Sequence, residues 1–572
     1  MASVQLTIDG KEVVAQSGQT ILQVAQANGI DIPTLCHHPA LAPVGACRMC
    51  LVEVEKQRAL QPSCTFQVSE GMVVHTESEK VVETRKFLLE LLFSERNHYC
   101  MYCQMSGDCE LQSLAYRYGL DAWLYPRPYT PLPVDASREH FVMDHNRCVL
   151  CRRCIRACQE LVGNYTLGLG GRGADSMIVA DMNVPFGNSS CISCGTCLQV
   201  CPTGALMDRR SAYRGLEKDV DQTFTTCTAC SLGCGIKVVS RDNQLLRIEG
   251  DWDGEVNGGV MCVKGRFDIL AEERKRITSP MIRRDGKLEK ATWDEALDAV
   301  AIKIKGNGAN LAALASTRAT NEALDLFAET FNKLNASKVS SLTAVPAFLS
   351  EASGSIAALD EADLYVVVGA DLRVDHQVAG IIVQRSVMNR GARLAVVDDG
   401  PNGMDDMTVF KFKTADLEKA IKLAAGAEMP VVVYGAKAGD LLPKLKEALS
   451  GKAQFVGLVP GSNSRGALAA GLAAEPAVDG AKAVYVMAVD DTVDPAIMSS
   501  IEAADFCVAQ ACYADALTDK ADVVLPSTIW AEKSCTTTNG EGKVTTLKAA
   551  VQVPAGVKQD EDILKALAAK LG

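Results

Sequence analysis

Residues 148–158 read CVLCRRCIRAC, and the same cysteine spacing returns at 191–201 as CISCGTCLQVC, closed by Pro202. Thiolates are soft, anionic ligands that select zinc or iron–sulfur clusters. CxxC spacing in an intracellular chain reads as metal ligation rather than as a disulfide framework. Zinc has no use for eight thiolates in two matched runs. The repeat therefore predicts a small domain folded around two [4Fe-4S] clusters.

The pattern is that of two-cluster bacterial ferredoxins, in which the fourth cysteine of each run reaches across to the other cluster. On that pattern Cys148, Cys151, Cys154 and Cys201 make one [4Fe-4S] site, and Cys191, Cys194, Cys197 and Cys158 make the other. Gln159 stands where the first run would carry its proline. Between the runs, GLGGRG at 168–173 satisfies GxGxxG in form. A dinucleotide fingerprint needs a preceding apolar strand, a following helix and a later acidic residue. This loop is read as a chance match, and NAD(P)H is expected on a partner.

Towards the amino terminus, NHYCMYCQMSGDCELQ supplies Cys100, Cys103 and Cys109, one ligand short of a four-iron site, and His98 is the nearest group able to complete it. A lone histidine is more often a packed core ring than a ligand, but this one stands beside three unfilled thiols. Ahead of it, residues 78–94 place Val81, Val82, Arg85, Leu88, Leu89 and Leu92 at near-helical spacing with Ser78 as a cap. The proline-rich stretch YPRPYTPLP at 125–133 reads as a connector.

The first residues alternate apolar and polar on both sides of Asp9-Gly10, so 4–14 predicts two strands joined by a tight turn. A helix follows, with Thr20 as cap, Ile21, Leu22, Val24 and Ala25 as its apolar face and Gly29 as its end. Cys36, Cys47, Cys50 and Cys64 come next, the close pair lying in PVGACRMCLVEVE. Four thiols across a glycine-containing loop suit a flat [2Fe-2S] cluster, whereas zinc usually takes two close pairs. His37 and His38 are read as packed or solvated, since a Rieske centre needs two spaced Cys-His pairs.

Cys227, Cys230, Cys234 and Cys262 form a fifth group, so 19 of the 22 cysteines precede position 263. Cys507, Cys512 and Cys535 lack ligand spacing and are expected as small buried hydrophobes. Buried-type strands at 363–370, 394–398, 485–490 and 521–526 predict parallel sheets with helices on both faces.

Taken together, the first two cysteine groups resemble the amino-terminal part of the G subunit of bacterial respiratory complex I and its relatives in NAD-linked hydrogenases and formate dehydrogenases. CTACSLGCG followed by GVMCVKGRFD resembles the cluster-bearing entrance of molybdopterin oxidoreductases, where Lys264 would stand between cluster and pterin. The resemblance implies an α/β and α+β multidomain chain. Its parts would be a ferredoxin-like β-grasp at 1–77, a His/Cys cluster domain at 78–125, a two-cluster ferredoxin domain at 134–215, a fifth cluster domain at 220–275, and a truncated molybdopterin-oxidoreductase-like αβα domain at 276–572. Set against the formate dehydrogenase motif, the metal-binding position falls at Pro346 and its neighbouring histidine at Ala347. Proline offers a metal no lone pair, so no molybdopterin is expected. A single Tyr99 between His98 and Cys100, shorter than the complex I spacing, is more like the diaphorase subunit of bidirectional hydrogenases.

A net charge of −12 works against phosphate backbones, so nucleic acid is excluded as a partner. MASVQLTIDG has no secretory h-region and no stretch reaches the roughly 18 apolar residues of a spanning helix. A cytoplasmic chain, or one peripheral on the cytoplasmic face of the membrane, is expected. The resemblance implies a non-catalytic electron-relay subunit of an NAD(P)H-dependent oxidoreductase complex, with one [2Fe-2S] and four [4Fe-4S] clusters. Its partners would be an FMN- and NAD(P)H-binding subunit, a small thioredoxin-like [2Fe-2S] subunit, and a hydrogenase or formate dehydrogenase subunit, with exchange with ferredoxin as a further route. The alternatives are the G subunit of complex I, feeding quinone, and a catalytic molybdenum or tungsten formate dehydrogenase.

Overall fold

The computed structural model describes residues 2–125, 131–305, 308–350 and 354–572, so most of the proline-rich connector, residues 126–130, lies outside the described residues. Two compact units form, Met1–Val220 and Asp221–Gly572.

In the first unit Ser3–Ile8 pairs antiparallel with Lys11–Gln16. Asp9 and Gly10 take the left-handed conformation (φ 47° and 80°) that a tight hairpin demands. Ser3–Ile8 also runs parallel to Met72–His75, and Leu51–Val54 and Gln61–Pro62 complete a five-stranded sheet. The helix Ile21–Ala27 starts on a capping box between Thr20 and Gln23 and buries Ile21, Leu22, Val24 and Ala25.

The next helix, Glu79–Glu95, departs from expectation in two ways. Ser78 stands at the cap position but its side chain makes no cap hydrogen bond, and the buried stripe is Val81, Arg85, Leu89 and Phe93. Arg85 is fully buried and pairs throughout: Nε donates to the Met49 carbonyl (3.1 Å), Nη2 to Leu51 (2.9 Å), and Nη1 to Glu77 (2.9 Å) and the Tyr118 hydroxyl (2.8 Å). A buried charge is tolerated only when so satisfied. Arg85 thus bolts this helix to the loop carrying Cys47 and Cys50.

The two cysteine runs flank the hairpin Leu167–Gly170/Met177–Ala180, and a small antiparallel sheet of Val134–Asp135, Phe141–Asp144 and Leu206–Asp208 backs them. GLGGRG lies in that hairpin, and only a single turn, Gly173–Asp175, precedes the return strand. It opens no helix, as a chance match requires.

The second unit begins with the antiparallel strands Asp221–Thr226, Gly235–Arg241 and Gln244–Gly250. Five parallel strands follow in the order Phe410–Phe412, Arg393–Val397, Leu364–Val368, Pro430–Tyr434, Gln454–Gly457. A seven-stranded sheet is parallel from Lys338–Ser341 through Leu311–Ala315, Ala483–Val489 and Phe506–Ala511 to Val523–Pro526, and the hairpin of Met281–Arg284 and Lys287–Lys290 adds antiparallel at that edge. Alternate residues of one strand enter different cores: Leu311 and Ala313 pack on one side, Ala312 and Leu314 on the other. Leu364 and Tyr365 divide likewise. Both faces of both sheets are covered, which is why their strands read as unbroken apolar runs.

Candidate metal centres

The first group sits where the sheet leaves loops around Cys36 to Cys64. The Cys36 amide donates to Cys47 Sγ at 3.3 Å and the Cys47 amide donates back to Cys36 Sγ at 3.5 Å. Gly45 and Arg48 take left-handed backbone (φ 62° and 60°), turning the loop around the sulfurs. The Cys47 thiol donates to Cys36 and lowers its pKa, helped by Arg156, while Cys47 itself is held high. Cys50 and Cys64 form a second such pair, with Cys50 held low by the Cys64 thiol. His37 and His38 lie near Arg153 and Arg156, and burial first, then those charges, lowers both; His38 falls to about 4. They are neutral, half-buried rings.

His98, Cys100, Cys103 and Cys109 line one cavity, together with Arg147 and Gly204. The Phe93 ring meets the His98 ring edge-on at 5.4 Å and helps fix its plane. Burial pushes the Cys109 thiol up to about 12. The His98→Ala variant is expected to perturb one four-iron signal in the low-temperature EPR spectrum and leave the others unchanged; an unaltered spectrum would make His98 a packed ring and no more.

The internal repeat extends to the backbone. Leu150 and Arg152 (φ 50° and 61°) match Ser193 and Gly195 (φ 55° and 70°). Leu150 and Ser193 each donate an amide to the sulfur of the first cysteine in their run, both at 3.4 Å. Left-handed backbone costs a residue with a side chain about 1–2 kcal/mol, and such strain persists where the surroundings enforce it, as in anion-binding nests. Cys158, Cys191, Cys194 and Cys197 line a single cavity. Cys201 acts electrostatically on Cys148, Cys151 and Cys154. The fourth cysteines therefore cross in space.

Burial raises Cys148 to about 11 and Cys151 and Cys158 to about 12. Alone, these thiols stay protonated at neutral pH; only a cation among them makes four thiolates stable. Donor set, burial and inward amides fit iron–sulfur clusters.

Sequence reasoning overlooked the contacts that tie the first four sites together. Arg156 donates to the carbonyls of Cys36 and Ala42, and the Ala42 amide donates to Glu160 at 2.8 Å. Buried Arg153 grips Glu110, the residue after Cys109, through two bonds of 2.6 and 2.8 Å. The Glu110 amide donates to the Pro202 carbonyl at 2.9 Å. A Cβ on Gly204 would stand 2.5 Å from Cys103 Sγ. The clue was proximity: all these residues lie within a few positions of a cysteine.

In the second unit Cys227, Cys230, Cys234 and Cys262 come together, each raised by burial and by neighbouring thiols or left high despite nearby amides. The Cys227 amide donates to the Cys234 carbonyl at 2.8 Å, and the Gly265 amide to Cys262 Sγ at 3.3 Å. Lys264 is exposed, its Nζ donating to the Val374 carbonyl at 2.7 Å. His376 is buried beside Ser231, Nε2 to Oγ 3.0 Å, and desolvation lowers it to about 4.

Cys507 and Cys512 are fully buried, as expected of small hydrophobes. Cys535 departs from that expectation: it is half-buried and its thiol donates to the Glu561 carboxylate at 3.6 Å, with Glu322 close by. The Glu322 carboxylate also accepts from Thr536, and Glu561 from Thr320. Pro346 precedes the short helix Ala347–Ser350, and neither Pro346 nor Ala347 carries a ligand atom. No helix among the described residues is long and apolar enough to cross a membrane.

Family models match almost end to end. They are the 2Fe-2S iron-sulfur cluster binding domain at 1–79, the NADH-ubiquinone oxidoreductase-G iron-sulfur binding region at 85–122, the NADH-quinone oxidoreductase subunit 3 ferredoxin-like domain at 140–207, the molybdopterin oxidoreductase Fe4S4 domain at 221–269, and molybdopterin oxidoreductase at 276–431 and 427–570. A G subunit of the NADH-quinone oxidoreductase of Rhizobium meliloti is 33% identical over 70% of this chain and 48% of its own length. The mitochondrial NADH-ubiquinone oxidoreductase 78 kDa subunit of Candida albicans is 29% identical over 99% of this chain and 82% of its own. A chain in a crystal structure of an NAD+-reducing [NiFe]-hydrogenase is 37% identical over 37% of this chain and 91% of that one, with a TM-score of 0.35. The chain spans about half the length of most of the curated relatives it matches.

Proposed function

The chain belongs to the molybdopterin oxidoreductase family, and from that membership, with iron–sulfur domains of the NADH-quinone oxidoreductase type ahead of it, we propose that it is the multi-cluster electron-relay subunit of an NAD(P)H-linked oxidoreductase complex. One observation carries the reading: five sets of four ligand residues, each gathered at one place, four of them tied together by Arg156, Arg153 and Glu110. One [2Fe-2S] and four [4Fe-4S] clusters bound there would supply one-electron redox centres tuned by burial and by hydrogen bonds to sulfur.

The protein's own work is positional. Loop amides of Cys36, Cys47, Leu150, Ser193 and Gly265 aim at sulfur. Burial keeps water away from the cysteines, and the arginine bolts fix the spacing that electron transfer needs. We divide the chain at 1–77, 78–125, 134–215, 220–275 and 276–572. The last part serves as a scaffold: Pro346 and Ala347 cannot hold a metal, so no catalytic step is assigned to it. Lys264, held by Val374, keeps a positive charge beside the fifth site.

Its partners would be a subunit with FMN and the NAD(P)H site, a small [2Fe-2S] subunit and a second catalytic subunit, in the cytoplasm or on the cytoplasmic face of the membrane. We favour a hydrogenase or formate dehydrogenase assembly over quinone reduction because one residue, Tyr99, separates His98 from Cys100. The test is anaerobic NADH or NADPH addition, followed by EPR at low temperature. The assembled complex should show this chain's reduced-cluster signals, and the isolated chain should show them with dithionite alone. Reduction of the isolated chain by NADH, or formate oxidation by it, would contradict the proposal.

A further inference from the structure

Arg147 is the cation of the His98 cavity. Its side chain lines that cavity with Cys100, Cys103 and Cys109, while its main chain leads directly into Cys148 of the neighbouring site. Three contacts set its course. Its Nε pairs with Asp144 at 3.0 Å, the Thr203 hydroxyl donates to its carbonyl at 2.8 Å, and Cδ passes 3.5 Å from where a Cβ on Gly204 would be. Its Nη1 is buried and has no hydrogen-bond partner in the protein.

A guanidinium stays charged in any protein environment and offers five donors in a rigid fork. Leaving such a donor buried and unsatisfied is costly, so the position calls for an anionic acceptor in the cavity. Three thiolates and a cluster bound by them would be that acceptor. A fixed cation also favours whichever redox state carries more negative charge, and net charge and hydrogen bonds to sulfur are levers on cluster potential. We propose that Arg147 sets the reduction potential of the cluster held by His98, Cys100, Cys103 and Cys109, raising it with a guanidinium that Asp144 compensates only in part; the proposal rests on that site holding a cluster. Asp144 is the moderator, since it partly neutralises the same guanidinium.

EPR-monitored redox titration of the anaerobic full-length protein tests this without any activity measurement. In Arg147→Gln the ratio of reduced to oxidised centre at a fixed ambient potential is expected to fall roughly tenfold, a drop of about 59 mV for a one-electron couple. Arg147→Lys keeps the charge and should stay near wild type. Asp144→Asn frees the guanidinium and should shift the midpoint upward. Equal midpoints in all four proteins would overturn the proposal, as would a downward shift in Asp144→Asn. If Arg147→Gln cannot retain the centre, the other two variants decide by the same criteria. A wild-type protein lacking this signal would remove the cluster reading itself; a signal present with unmoved midpoints would remove only the role of Arg147.

Discussion

Replacing Cys158 by serine should abolish the same four-iron signal as replacing Cys194, although Cys158 belongs by sequence to the other run. Cys158 shares its cavity with Cys191, Cys194 and Cys197, whereas the thiols of its own run lie with Cys201. A serine hydroxyl is a harder donor that ionises far less readily than a thiol, and it binds the soft site poorly. The expected loss is about four irons per chain. The double variant Cys158→Ser/Cys194→Ser should lose no more than either single one, and Cys158→Ser/Cys151→Ser should lose both four-iron signals of the repeat. Non-additivity of that kind reports a shared site. Additive loss for the first pair, or none for the second, would restore the uncrossed arrangement.

Gly204→Ala should remove the His98 cluster while sparing the [2Fe-2S] signal. The added Cβ would stand 2.5 Å from Cys103 Sγ, closer than any real contact, with Arg147 Cδ and Met105 Cβ both at 3.5 Å behind it. Cys103 cannot retreat when its sulfur is a ligand, and Arg147 is held by Asp144. Overpacking a fixed interior costs about 1–3 kcal/mol, and here the strain falls directly on a ligand. The measurement is EPR of the dithionite-reduced protein with iron analysis, and an unchanged spectrum would show that the Thr203–Gly204 loop moves freely.

Much of this was readable from the chain because cysteine spacing is a rigid code. Two runs of CxxCxxCxxxC leave few loop geometries, and Asp9-Gly10 with Thr20 fixed the first hairpin and helix. The parallel strands were legible because burial on both faces forces continuous apolar runs such as LYVVV at Leu364–Val368. The remainder depends on pairings far apart in sequence. Arg85 falls on the stripe that spacing assigns to the core, but spacing gives no hint of the four partners that satisfy its buried charge, including Met49 and Tyr118. Arg156 reaches Cys36 across 120 residues, and Gly204 matters through a side chain it lacks. Cys535 lacked ligand spacing, but a carboxylate neighbour sets its role and spacing is silent on neighbours.

Electron relay by this chain requires iron at five cysteine-lined places. Anaerobically purified protein should contain about 18 irons and matching acid-labile sulfide per chain, with one two-iron and four four-iron components on full reduction. A colourless protein carrying zinc in their place would contradict it.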